Sequence, residues 1–198
     1  MELMEAIRGR RSVRKYDARA VSRQMLAQVL EAGLMAPSGQ NLQPVRFWVI
    51  QEPETLRELE RDLYAEGLRL RKMLWLLGVF VPRFRHGKGK QVFRSLREEL
   101  FNGAPVLVLT GADRASSTTF EKDCTLAAQN LMLAAHGLGL CSCYIGWAIL
   151  VNQLRKWKER LRIPPSVTIV DGIVLGHGLA PSRGPSRKKV DEVATWVL

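Results

Sequence analysis

Cysteine is scarce in this chain of 198 residues: Cys124, Cys141 and Cys143 are the only three. An odd number without metal-ligand spacing argues against a disulfide framework and against a metal site, and fits a reduced, cytoplasmic protein. No run of about 18 uninterrupted apolar residues occurs, so no transmembrane helix is expected. The start, Met1-Glu2-Leu3-Met4-Glu5, is acidic and has no long apolar stretch, so it does not read as a signal peptide. A glycine-rich dinucleotide fingerprint is also missing, because Gly137-Leu138-Gly139 follows a helical pattern instead of a strand. With no internal repeat, low-complexity tract or clear linker, residues 1–198 are expected to form one domain. Acidic residues are few, 19 against 30 Lys and Arg, which leaves a net charge of +11. The basic residues gather at 83–90, 155–162 and 183–189. Such charge attracts polyanions or phosphorylated cofactors. The clusters lack the aromatic interleaving of a nucleic-acid module, and a solvated basic surface is the plainer reading.

Apolar residues make up 46% of the chain, enough for a packed core. Residues 2–8 form a short helix with Leu3, Met4 and Ile7 on one side. Ser22 is a plausible N-cap for a second helix, where Met25, Leu26, Val29, Leu30 and Leu34 recur at helical spacing and Pro37 ends the pattern. The run 45–50 reads as a strand, and Pro53 opens a helical region that continues with breaks to about Gly78. Residues 80–89 read as a loop or lid, and 91–100 as helical. Strands follow at 105–111, 140–146 and 167–176. A long helix over 120–136 carries small and apolar faces that suggest burial nearly all round, and 151–161 reads as an amphipathic helix. This order gives an α+β or α/β sandwich around one mixed sheet.

Two segments concentrate chemistry. Arg10-Arg11-Ser12-Val13-Arg14-Lys15-Tyr16 places four cations and a hydroxyl directly after the first helix. Ala36-Pro37-Ser38-Gly39-Gln40-Asn41-Leu42-Gln43-Pro44 is a tight turn loaded with amides and hydroxyls that leads into a strand. Together they offer groups for a phosphate and for the polar edge of a planar ring. Each also has a plain reading, as a basic helix end satisfying carbonyls and as an ordinary helix-to-strand turn. His177 sits in a Gly-His-Gly strand exit and reads as structural. The cysteines read as small core residues. No convincing catalytic histidine or carboxylate pair is present.

The chain resembles the nitroreductase family of flavin mononucleotide (FMN) oxidoreductases. The likeness rests on the two segments above, on Ala127-Ala128-Gln129-Asn130 with the exit Leu138-Gly139-Leu140-Cys141-Ser142, and on Gly176-His177-Gly178 followed by Arg187-Lys188-Lys189. It implies an α+β, three-layer α/β/α sandwich around a mainly antiparallel sheet. It also implies a homodimer with the cofactor at the subunit interface, residues 59–102 as a variable helical or lid insertion, and 183–198 as an extension wrapping the neighbouring chain.

The resemblance assigns FMN contacts to Arg10, Arg11, Ser12, Arg14, Pro37, Ser38, Asn41, Gln43, Tyr144, Ile145, Gly146 and Arg187. Arg10 suits the phosphate, and Arg14 the N1/C2=O edge of the ring, where positive charge favours the reduced form. Ser38, Asn41 and Gln43 are expected from the opposite subunit. The backbone of Ile145 and Gly146 is expected near N5, with Gly146 permitting close approach. Arg187 is expected at the phosphate, with Lys188 or Lys189 as substitutes. The implied activity is ping-pong transfer from NADH or NADPH to an electron-poor small molecule such as a nitroaromatic, quinone or enone. The chemistry resides in the cofactor, and no side chain is assigned as acid or base. Relatives specialised for dehalogenation, flavin breakdown or dehydrogenation remain an alternative reading, as does a basic nucleic-acid-binding protein. Neither a membrane nor nucleic acid is the expected partner.

Overall fold

A computed structural model describes residues 2–80, 96, 99–179 and 187–197, without the side chains of 74–80. The readings at 80–89 and 91–100 therefore lie largely outside the described residues, as do the basic cluster at 83–90 and much of the one at 183–189. The first helix, α1, spans Leu3–Gly9 and is opened by reciprocal capping between Glu2 and Glu5. It buries only Ala6, so Leu3, Met4 and Ile7 are exposed on this chain. Helix α2, Arg23–Leu34, starts where Ser22 Oγ accepts the Met25 N–H at 3.2 Å, and it buries Leu26 and Val29. Strand β1, Arg46–Ile50, follows the polar turn. Helix α3 then runs unbroken from Pro53 to Phe80 over 28 residues.

Strands β2 (Val106–Asp113), β3 (Cys141–Tyr144) and β4 (Val167–Gly176) complete a four-stranded sheet in the order β1-β2-β4-β3. Every neighbouring pair is antiparallel. The sheet is thus antiparallel where the element order suggested a mixed one. Among the described residues, the one parallel contact is an isolated bridge between Ser12 and Ser142. Helix α4, Phe120–Gly137, precedes β3. The expected helix over 151–161 divides into a 3₁₀ segment, Gly146–Gln153, and a short α5, Arg155–Arg160.

Two cores flank the sheet. On one face α2 and α4 cover Val106, Val108, Ile173 and Leu175. On the other, α3, the 3₁₀ segment and α5 enclose Leu107, Leu109, Ile169 and Val174. This is the expected three-layer α/β/α sandwich. A bulge exchanges the faces of β4: Thr110 pairs with Asp171 and Gly111 with Ile169, so Val170 is the extra residue. Val167 and Ile169 therefore join one core while Asp171, Ile173 and Leu175 turn to the other side, toward α4. Helix α4 is not buried all round in the single chain. Lys122, Thr125, Leu126 and Gln129, spaced three and four apart, form an exposed stripe.

Candidate functional site

Residues 10–14 run beside β3, one of the two edge strands of the sheet. The Val13 N–H donates to the Ser142 carbonyl at 3.0 Å, and Val13 and Tyr16 anchor in the core. The Tyr16 hydroxyl donates back to the Val13 carbonyl at 2.8 Å, and Tyr16 bridges to Gly178. Arg14, Ser12 and Arg10 all lie within electrostatic or hydrogen-bonding reach of Cys143. Burial pushes the Cys143 thiol up, and these three groups partly offset that rise. The segment therefore gathers three of its predicted residues at one strand. Arg11 behaves differently. Its guanidinium turns back onto the carbonyls of Arg8 and Arg10, the latter at 3.0 Å, and closes the end of α1. Among the described residues, no hydrogen bond or ion pair engages the Arg10 or Arg14 side chain.

The turn at 37–43 is held by α4. Buried Asp123 accepts the Gly39 N–H at 3.1 Å and the Ser117 hydroxyl at 2.9 Å, and its oxygens lie 3.3 Å from the Thr119 hydroxyl. A Cβ at Gly39 would collide with Thr119 Oγ1, so this close approach requires glycine. Ser38 Oγ accepts the Gln43 N–H at 3.0 Å, and Gln43 Nε2 donates to Asn41 Oδ1 at 3.0 Å. Gln40, Asn41 and Gln43 all have φ near +50° (52°, 56° and 48°). Such conformations cost about 1–3 kcal/mol each and cluster where a loop meets a ligand. Asp123 went unnoticed in the sequence. An acidic residue in the first turn of a helix looks like simple charge complementarity to the helix dipole.

Tyr144 ends β3 and is 42% exposed. Its hydroxyl donates to Asp171 Oδ1, and Asp171 Oδ2 accepts from Thr110 Oγ1 at 3.2 Å. Asp171 is 1% exposed. Burial raises its carboxyl above the ordinary value, with the Tyr144 and Thr110 hydrogen bonds acting against that rise. Burial and the neighbouring carboxyl likewise raise the Tyr144 phenol. The Ile145 N–H donates to the Gly172 carbonyl at 2.7 Å and is committed there. The Gly146 N–H, at the first position of the 3₁₀ segment, has no acceptor among the described residues. Of the two backbone donors anticipated at this turn, Gly146 is thus the one available to a ligand. A visible signal for Asp171 and Gly172 was their place as an Asp-Gly pair inside the apolar strand Val167–Gly176.

Arg187, Lys188 and Lys189 are exposed, and no hydrogen bond or ion pair ties their side chains to residues 10–14 among the described residues. The His177 carbonyl accepts the Asp17 N–H at 3.0 Å, a backbone role. Burial raises the Cys124 thiol to about 12, which makes it inert as a nucleophile. No described group of His, Cys, Asp and Glu suits a metal ion. No described helix is long and apolar enough to cross a membrane. A cavity of about 650 Å³ among Asn152, Arg155, Lys158, Arg162 and Pro164 contains none of the predicted residues.

The sequence profile of the Nitroreductase family matches residues 7–177. The chain belongs to the nitroreductase family. A Bacillus subtilis relative named as an NAD(P)H nitroreductase, YdgI, is 44% identical over 209 residues, covering 98% of this chain and 97% of its own. The 4-nitrobenzoate reductase of Nocardioides sp. is 28% identical, covering all of this chain and 91% of its own. Among solved structures, a Bacteroides fragilis nitroreductase with bound FMN superposes with a TM-score of 0.77 at 24% identity, over the full length of both chains. The last comparison shows the fold, which is the nitroreductase fold.

Proposed function

We propose that this nitroreductase-family protein is an FMN-dependent NAD(P)H oxidoreductase that reduces electron-poor small molecules such as nitroaromatics, quinones or enones. The observation that carries the reading is the convergence of Arg10, Ser12 and Arg14 beside β3. The groups present suit FMN. Among the described residues, two guanidinium heads lack hydrogen-bond and ion-pair partners, the Gly146 N–H is unspent, and buried Ser142 Oγ has no hydrogen-bond partner. FMN supplies hydride chemistry at its ring nitrogen N5.

Within this reading Arg10 holds the phosphate through a guanidinium fork, with Arg187 or its neighbours Lys188 and Lys189 as a second cation. Ser12 bonds the ribityl chain, and Arg14 sets positive potential at the ring edge. Gly146 presents its N–H toward N5. Pro37 and Gly39 shape the loop that offers Ser38, Asn41 and Gln43. Within one chain that loop is tied to Asp123, whereas Gly9, just before Arg10, packs on His136. Thirteen helical steps separate these anchors, about 20 Å along α4. A homodimer, in which a second chain brings its loop to the first chain's cations, removes that separation. Exposed Leu3, Met4, Ile7, Leu34, Met35 and Leu126, on helices that pack together, support such a pairing. Residues 59–102 serve as the variable insertion and 183–198 as the wrapping extension of one domain.

NADH or NADPH and the acceptor would occupy one site in turn, a ping-pong scheme. No protein acid or base is needed in it, in keeping with a cytoplasmic enzyme of broad acceptor range. Anaerobic mixing of the FMN-loaded protein with each nicotinamide tests the scheme. Loss of the visible flavin absorbance, restored by adding a quinone or a nitroaromatic, is expected. Persistence of the colour with both reductants would overturn it.

A further inference from the structure

A carboxyl is out of place in the middle of β4. Around it the strand is Val167, Ile169, Ile173, Val174 and Leu175, all buried and apolar. An unpaired polar group in such a position costs free energy, so its hydrogen-bond partners are the reason for it. Asp171 reaches one neighbour on each side, Thr110 on β2 and Tyr144 on β3. Thr110 is itself wholly buried, whereas Tyr144 opens to the surface at the turn that carries Gly146. The next residue, Gly172, holds the same turn by its backbone. Its carbonyl takes the Ile145 N–H, and its missing Cβ makes room for the Ala148 methyl, which a side chain at 172 would strike.

We propose that Asp171 and Gly172 are positioning residues of the cofactor cleft, acting from the neighbouring strand β4 on Tyr144 and on the Ile145–Gly146 backbone. This rests on the FMN reading given above. The Tyr144 ring is fixed at both ends, through strand pairing with Ile173 at the backbone and through Asp171 at the hydroxyl. A ring so held is a rigid wall for a planar ligand, where a free tyrosine would lose rotamer freedom on binding. Cys124 and Thr125 of α4 are the further groups facing Asp171, and neither supplies a positive charge to pair with it. The hydrogen bond to Tyr144 is therefore its link to the cleft.

The test is FMN affinity, measured by quenching of flavin fluorescence, together with the visible circular dichroism of bound FMN. Tyr144→Phe and Asp171→Val are each expected to weaken binding about five- to twentyfold and to change the dichroism band. The double variant should be no weaker than Asp171→Val alone, because both changes break one link. Asp171→Asn keeps an acceptor for Tyr144 and should stay within about twofold of the natural protein. Asp62→Asn, which disturbs the Trp157 hydrogen bond under α5, controls for simple destabilisation and should leave both readouts unchanged. Should Asp171→Val fail to fold, Tyr144→Phe decides alone. Unchanged affinity and dichroism in Tyr144→Phe, or losses that multiply in the double variant, would overturn the proposal while leaving FMN binding intact. Absence of FMN binding by the natural protein would overturn both readings.

Discussion

Arg10 and Arg11 are chemically identical neighbours with different work. Arg11 closes α1 by bonding the Arg8 carbonyl, while Arg10 keeps its guanidinium uncommitted among the described residues. Arg10→Ala is expected to weaken FMN binding tenfold or more, since a charge-assisted hydrogen bond is worth about 1.5–3 kcal/mol. Arg11→Ala should leave that affinity within about threefold and lower stability by about 0.5–1 kcal/mol, through loss of a favourable cation at a helix end. Fluorescence titration and urea unfolding of the two variants separate the roles. Asp171 gives a pH signature. Its folded value lies above its ordinary 3.8, so the folded state holds the proton more tightly than the unfolded chain does. The stabilisation this supplies is complete below pH 3.8 and is lost as pH rises through the raised value. Relative to Asp171→Asn, which cannot titrate, the natural protein should lose stability over that window in urea unfolding between pH 4 and 8. A gap that stays constant with pH would contradict a raised carboxyl. Arg10, Ser12 and Arg14 stood out in the sequence because charge and a hydroxyl at a helix end are unusual together. That a cation here satisfies helix-end carbonyls was the plain reading of the segment; which of the arginines does so depends on the local path after Gly9.

Elements explain why the two polar segments sit where they do. Ser22, the strand at 46–50 and the small-residue helix α4 were readable from spacing, because each depends on local pattern alone. The bulge at Val170 was not, since nothing in Val167–Gly176 marks the residue that its partner strand leaves unpaired. Nor were the left-handed conformations of Gln40, Asn41 and Gln43, in a loop that contacts with distant residues hold at Gly39. Asp123 is the hub of those contacts. Asp123→Ala strands the Gly39 N–H and the Ser117 hydroxyl, and it should cost about 2–3 kcal/mol in urea unfolding. The larger effect is expected on FMN affinity, because the loop loses its anchor. Asp123→Ala with FMN affinity of the natural protein would separate the loop from the site. At the far side of the molecule, Trp157 donates to Asp62 Oδ2 at 2.7 Å and lies beneath Arg160, 4.9 Å from ring centroid to guanidinium carbon. These contacts fasten α5 to α3 and concern stability alone. Burial acts to raise the Asp62 carboxyl, and the bonds from Lys156 and Trp157 overcome it, so its value falls below the ordinary one.

At the scale of the whole molecule, the family fold was legible because four short segments in one order span nearly the entire chain. The assembly is a different matter, since no single chain's sequence displays which surfaces meet. The separation of about 20 Å between the Arg10 end and the Asp123 end of α4 makes a direct prediction. If each site takes cations from one chain and the 38–43 loop from the other, Arg10→Ala and Asn41→Ala proteins should complement each other. After subunits exchange at random, half the dimers are mixed and each holds one intact site, so about a quarter of all sites should regain tight FMN binding. A mixture no better than its two components would place both groups in one chain's site.

This chain is expected to bind FMN through the groups gathered beside β3. Titration of FMN into apoprotein, followed by flavin fluorescence, measures it most directly. Saturable quenching at one FMN per chain, weakened tenfold or more in Arg10→Ala, is the predicted result. Fluorescence that stays that of free FMN at saturating protein, or quenching indifferent to Arg10, would contradict it.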